Sequence, residues 1–129
     1  MRFTVAICTW NRAWLLPRVL ERLTRLQHTQ SEWEVVVVNN NSTDDTERVL
    51  DAFAGRLPLR RAFEARPGLS HARNTAVRWA TGDYIVWTDD DALVDADWLA
   101  AYVRAAEQHP EAAVFGGPVR PRQRRPPRR

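Results

Sequence analysis

Apolar positions along the chain switch between two periods. Residues 3–8 (FTVAIC) form a short β-prone run and predict a first strand. Leu15, Leu16, Val19, Leu20, Leu23 and Leu26 then recur at helical spacing, with Pro17 compatible with a first turn. Four successive valines, Val35–Val38, predict a strand over 34–39 that is buried on both faces, as in a parallel sheet. Val49, Leu50 and Phe53 make the next helical face, with Ser42 and Asp45 as a capping-box-like start and Gly55 near its end. Leu59–Phe63 is a weaker strand. Ser70 reads as the cap of a helix carrying Ala72, Ala76, Trp79 and Ala80, stopped by Gly82. Tyr84–Thr88 predicts a strand that runs directly into Asp89, Asp90 and Asp91. Trp98, Leu99, Tyr102, Val103 and Ala106 mark an amphipathic helix up to His109 and Pro110, and residues 113–116 read as a fifth strand.

Strands alternating with helices predict the α/β class, a parallel sheet with flanking helices and right-handed crossovers. Ligands bind such sheets at the carboxyl ends of the strands. The informative segments are therefore Thr9–Arg12, Asn39–Thr43, Arg66–Asn74 and Asp89–Asp91.

Composition narrows the picture. A chain of 129 residues, 44% hydrophobic and 27% charged, is one globular domain with a core of its own. No apolar run approaches the roughly 20 residues that cross a bilayer, and the start MRFTVAICTW reads as a strand, not a signal peptide. The single Cys8 excludes an internal disulfide and a cysteine-built zinc site. It suits a reducing compartment, so the expected location is the cytoplasm, including the cytoplasmic face of the membrane.

All 19 basic side chains counted as Lys or Arg are Arg. With no lysine there is no Walker-type phosphate loop and no Schiff-base chemistry. Residues 1–119 hold 13 Arg against all 16 acidic residues, whereas 120–129 add six Arg and no acid. The body is thus mildly acidic, and nucleic acid is not an expected partner. The domain is expected over 1–119, with 120–129 an Arg- and Pro-rich tail without packed structure.

Asp89–Asp90–Asp91 is the strongest chemical signal. Side chains alternate in extended backbone, so Asp89 and Asp91 can share a side while Asp90 faces the other way. Two carboxylates at a strand end can hold Mg²⁺ or Mn²⁺, which would stabilise a departing diphosphate; the alternative is an acidic turn capping the next helix. Asn39–Asn41 can pair with the edge of a nucleobase, or serve simply as turn residues. Asp44 and Asp45 read as helix N-terminal charges. Arg73 either meets a phosphate or is a solvated surface residue. Cys8 reads as a small core residue, and Trp79, Trp87 and Trp98 as core aromatics, while Trp10 and Trp14 sit at the ligand edge. The first strand is followed by TWNRA, without the glycines of a dinucleotide fingerprint, and no Gly-x-Ser-x-Gly elbow occurs.

Three motifs in this order, VAICTWNRAWLL, EVVVVNNNSTDDT and GLSHARNTAVRWATGDYIVWTDDDALVDADWL, resemble the family 2 glycosyltransferases of GT-A fold over roughly residues 3–119. The resemblance implies a Rossmann-like parallel sheet with flanking helices, the GT-A nucleotide-binding half. It implies transfer of a sugar from a nucleotide-diphosphate sugar to an acceptor hydroxyl on a saccharide, lipid or protein, with inversion at the anomeric carbon. By position, Thr9, Asn11 and Arg12 would line the nucleotide, Asn39 and Asn40 would meet base or ribose, and Arg73 would approach the nucleotide. Asp89 and Asp91 would hold Mg²⁺ or Mn²⁺ and the donor. The family usually has an Asp at position 39 or 40; both are Asn here, so a base contact would use a neutral amide.

Family members normally continue into a further half-domain that holds the acceptor site and an Asp or Glu general base. The chain therefore reads as the donor-binding half of a longer enzyme, and no residue is assigned as the base. Two other readings stand beside the enzyme. One is a nucleotide-sugar-binding module without turnover; the other is an interaction protein whose basic tail meets a membrane or nucleic acid.

Overall fold

Strands and helices alternate strictly along residues 1–27 and 31–112, which the computed structural model describes. The strands are β1 (Arg2–Thr9), β2 (Glu32–Asn39), β3 (Leu59–Phe63) and β4 (Tyr84–Trp87). The helices are α1 (Leu16–Thr24), α2 (Thr46–Phe53), α3 (Leu69–Trp79) and α4 (Trp98–Gln108). Every strand pair is parallel and the sheet order is β3-β2-β1-β4. This is the predicted Rossmann-like α/β architecture, a parallel sheet with flanking helices. The fifth strand expected at 113–116 and the tail at 120–129 lie outside the described residues.

The valine run explains why the sheet is covered on both sides. Val35 and Val37 join Phe3, Val5 and Ile7 on one face, against apolar side chains of α1, α2 and α4. Val36 and Val38 join Ala6 and Ala62 on the other, against Ala72 and Ala76 of α3. Alternation thus sends neighbouring valines into two different cores. The second core is built mostly of alanine and valine, and it is small because a single helix covers it.

The chain moves outward from β1 through β2 to β3 with α1 and α2 on one face. It then returns across the sheet to β4 with α3 on the opposite face. Direction and face reverse together, as they must if all crossovers keep one hand. The reversal falls between β1 and β4, so a switch point opens at their carboxyl ends.

Several local expectations need correction. Helix α2 is not capped by Ser42: Asp44 Oδ1 accepts from Thr46 N at 3.1 Å, and Ser42 Oγ instead accepts from Asn11 N. Helix α3 begins at Leu69 directly after Gly68, whose φ of 123° a side chain would resist, so Ser70 lies inside the first turn. Trp79 and Trp87 are exposed, not core; Trp79 lies against Arg60, whose guanidinium stands 5.3 Å from its ring. Trp98 does pack against the first core. Among the described residues no helix is long and apolar enough to cross a membrane.

Glu34 is an acid in a position that the alternation makes internal, and it is only 2% exposed. It accepts from the Thr4 hydroxyl at 2.6 Å and from Thr81 N and Oγ1, both at 2.8 Å, with Arg60 at 3.2 Å. Burial pushes its pKa up, but these donors outweigh burial and hold the carboxyl at about 2. The cluster ties the amino ends of β1, β2 and β4 together, on the opposite edge from the switch point.

Candidate functional site

The loops after β1 and β4 meet at the switch point and enclose one side of a cavity of about 560 Å³. Cys8, Thr9, Trp10 and Arg12 line it from β1, and Asp89, Asp90 and Asp91 from the turn after β4. The far wall is Asn40 with Pro67, Gly68, Leu69 and Ala72.

The three aspartates do not continue the extended alternation of β4: they enter a turn closed by Ala92 N donating to Asp89 O at 3.3 Å, and all three line the cavity. Asp89 and Asp91 are exposed, whereas Asp90 is 8% exposed. The expectation that Asp90 points away from the site is wrong. Asp90 Oδ2 accepts from the Thr9 hydroxyl at 2.9 Å, and Oδ1 accepts from Arg12 Nη1 at 3.3 Å. The same Arg12 nitrogen donates to Asp91 Oδ2 at 3.1 Å. Burial raises the pKa of Asp90; Thr9 and Arg12 oppose that rise, while Asp91 and Asp89 add to it, and the net direction is upward.

Cys8 faces this cavity and is not wholly a core residue. Burial pushes its thiol up to about 11, Arg73 pulls it down, and Asp90 and Asp89 push it up again. A thiol held there is protonated at neutral pH and is no nucleophile. Arg73 does not line the cavity, but its charge reaches Cys8 at the edge of it.

The asparagines are occupied within the fold. Asn39 Nδ2 donates to Glu47 Oε1 at 2.8 Å and its Oδ1 accepts from Ser42 N at 3.0 Å. Asn40 Nδ2 donates to the carbonyls of Glu64 and Arg66 at 3.0 and 2.7 Å, while its Oδ1 accepts from Gly68 N at 3.1 Å. Asn11 adopts φ 51°, and its Oδ1 accepts from Thr43 N at 2.7 Å. Ala13 N donates to Asp44 at 2.9 Å, so the loops after β1 and β2 are laced together. A second acid braces the same region: Glu64 receives Arg66 and Thr75, and the Arg66 contact chiefly holds its pKa at about 2.

Of the residues expected at the site, Thr9, Arg12, Asn40, Asp89 and Asp91 converge on the cavity. Asn11 and Asn39 do not line it; their side chains hold the loop after β2 through Thr43, Ser42 and Glu47. Sequence reasoning placed Pro67–Leu69 in a segment expected at the ligand edge without singling out any of its residues, and it turned Asp90 away from the cavity that it lines. The Pro67-Gly68 pair was the available signal for that wall, because such a pair marks a turn entering a helix.

The donor set suits a hard divalent cation held partly by its ligand. Asp89 and Asp91 offer exposed carboxylate oxygens, while no three His, Cys, Asp or Glu side chains among the described residues converge to hold a metal alone. Mg²⁺ is commonly bound in this way, by one or two carboxylates with substrate phosphates completing the shell.

A model of the family described as glycosyl transferase family 2 matches residues 4–129. An uncharacterized glycosyltransferase, YfnE of Bacillus subtilis, is 34% identical over 118 residues, covering 90% of this chain and 30% of that protein. The structure of TarS of Staphylococcus aureus in complex with UDP superposes with a TM-score of 0.78 at 26% identity, covering 84% of this chain and 33% of that one. The mannosyltransferase PcManGT of Pyrobaculum calidifontis, in complex with GDP-Man and Mn²⁺, superposes at 0.74 with 38% identity, covering 81% and 32%. The chain spans about a third of the length of these relatives.

Proposed function

The chain belongs to glycosyl transferase family 2, and on that premise we propose that its cavity binds the nucleoside diphosphate of a sugar donor. The observation that carries this reading is the pair of exposed carboxylates, Asp89 and Asp91, on a cavity at the switch point of the sheet. UDP in the TarS structure and GDP-Man with Mn²⁺ in the PcManGT structure support the ligand class.

In this reading Asp89 and Asp91 hold Mg²⁺ or Mn²⁺. A divalent cation bound there supplies positive charge against the leaving diphosphate. Arg12, at the cavity, and Arg73, beside it, provide guanidinium donors suited to phosphate oxygens. Trp10 is exposed on the wall and offers a flat face to a base or sugar. Asn39 and Asn40 contribute by shape, holding loops with amides already engaged, so nucleobase contact falls to backbone groups and Trp10.

The reaction we assign to the whole enzyme is transfer to an acceptor hydroxyl of a saccharide, lipid or protein, with inversion. The hydroxyl oxygen forms a bond to the anomeric carbon as the bond to the diphosphate breaks, and a base takes the hydroxyl proton. No described residue is assigned as that base. What this domain contributes is donor binding, which a binding module without turnover would share.

Calorimetry of the chain with UDP and GDP, with and without Mn²⁺, tests the proposal. Metal-dependent binding of at least one is expected. Heat and stabilisation absent for both, with folded protein and metal present, would overturn it. Turnover of a nucleotide sugar to free nucleoside diphosphate would separate the enzyme from the binding module.

A further inference from the structure

We propose that Arg12 is the built-in counter-ion of the acidic turn, holding Asp91 until a cation arrives together with a diphosphate. The inference rests on the proposed function and adds to it the means by which metal and nucleotide binding are coupled.

Three successive carboxylates at a strand end repel one another, and one of them is buried. A single nitrogen, Arg12 Nη1, bridges two of them, at 3.3 Å from Asp90 and 3.1 Å from Asp91. No other ion pair to this turn is found among the described residues. The two contacts differ in kind. The Asp90 side chain is 12% exposed and is also held by Thr9, so that contact is anchored. The Asp91 side chain is 53% exposed and Arg12 is 45% exposed, so the contact between them is solvated and contributes little. Arg12 can therefore release Asp91 while staying beside Asp90.

A cation arriving alone meets this guanidinium. It must approach Asp91 against a positive charge, with no three carboxylates converging to compensate. A cation arriving with a diphosphate meets a different balance. The phosphate oxygens complete its shell and give the guanidinium a new anionic partner, with which Arg pairs well. Asp91 passes from Arg12 to the cation and Arg12 passes from Asp91 to the phosphate, so each of the two keeps a partner of opposite charge. Metal and nucleotide then favour each other's binding by equal factors.

Mn²⁺ binding to the full chain, followed by electron paramagnetic resonance with and without UDP or GDP, tests this on the parent, Arg12→Gln and Arg12→Lys. The parent and Arg12→Lys should bind Mn²⁺ alone weakly. Arg12→Gln should bind Mn²⁺ alone about tenfold more tightly or better, because a unit charge a few ångströms away is removed. Added nucleoside diphosphate should then enhance its Mn²⁺ binding less than it does in the parent. Equal Mn²⁺ affinity for parent and folded Arg12→Gln overturns the role of Arg12, whatever the nucleotide does. Failure of the parent to bind either nucleotide with Mn²⁺ instead overturns the proposed function. If Arg12→Gln does not fold, the Arg12 Nε–H resonance of the parent decides. It should shift with Mg²⁺ plus nucleoside diphosphate and not with Mg²⁺ alone; a shift with Mg²⁺ alone overturns the inference.

Discussion

The hydroxyl of Thr9 donates a 2.9 Å hydrogen bond to Asp90 Oδ2 across 81 residues of sequence. Parallel pairing of β1 with β4 brings the two strand ends side by side, and this bond joins the loops that leave them. Removing the acceptor strands a buried hydroxyl and detaches Arg12 from its anchor. Asp90→Ala should therefore destabilise the fold by about 1–3 kcal/mol, the range for leaving a buried partner unsatisfied. Asp90→Asn keeps an acceptor and removes a charge that burial already disfavours, so it should cost less. Urea unfolding of both variants beside Thr9→Val, as a double-mutant cycle, checks the pairing. Additive effects would mean the bond contributes nothing.

Asp91 differs because its side chain is solvated. Asp91→Ala loses an exposed ion pair with Arg12, worth up to about 1 kcal/mol, and relieves repulsion with its neighbours. The melting temperature without ligand should be nearly unchanged or slightly raised. Metal-dependent binding of UDP or GDP should disappear, since one of the two exposed carboxylates is gone. Thermal shift with Mn²⁺ and nucleotide reads both effects at once. Retained metal-dependent stabilisation would make the acidic turn a helix-capping feature only.

The sheet was legible because its signals are local. The run Val35–Val38 specifies burial on two faces without knowledge of partners, and β3 runs over Leu59–Phe63 as predicted. The ends of helices were less legible. Ser42 suits a cap by sequence, but its Oγ accepts from Asn11 N, a partner 31 residues away, and Thr46 N turns to Asp44 instead. The carboxylates of the site were visible as a motif, but the roles of Asp90, Asn39 and Asn40 were not. Each is fixed by partners that sequence spacing does not show: Thr9 for Asp90, Glu47 for Asn39, and the loop carbonyls of Glu64 and Arg66 for Asn40.

Asn40 provides a test of structure against contact. Its amide makes three hydrogen bonds to the chain between Glu64 and Gly68 and is nearly buried. Asn40→Ala should destabilise the protein by about 2–3 kcal/mol and speed hydrogen exchange at Gly68 N, which loses its acceptor. Nucleotide affinity should fall with it, because the Pro67–Leu69 wall loosens. Reduced affinity at unchanged stability would instead mean that Asn40 acts through direct contact with the ligand.

Glu34 sets the acid sensitivity of the fold. Its carboxyl is opposed by burial, yet the hydroxyl of Thr4, the backbone and hydroxyl of Thr81 and the Arg60 guanidinium bring it from the ordinary 4.5 down to about 2. A pKa depressed in the folded state means that the unfolded chain binds the proton first as pH falls. The stabilisation is thus complete above about pH 4.5 and is lost progressively as pH falls toward about 2. Glu64, also held at about 2 by Arg66, adds to the same acid limb. Glu34→Gln cannot titrate, so its stability at neutral pH should be lower than the parent's and should change less between pH 5 and pH 2. Glu34→Ala leaves Thr4 and Thr81 without an acceptor and should cost about 3 kcal/mol at neutral pH. Urea midpoints measured from pH 7 to pH 2 give both slopes directly. If Glu34→Gln and the parent lose stability in parallel over that range, the buried carboxylate is not what the acid titrates.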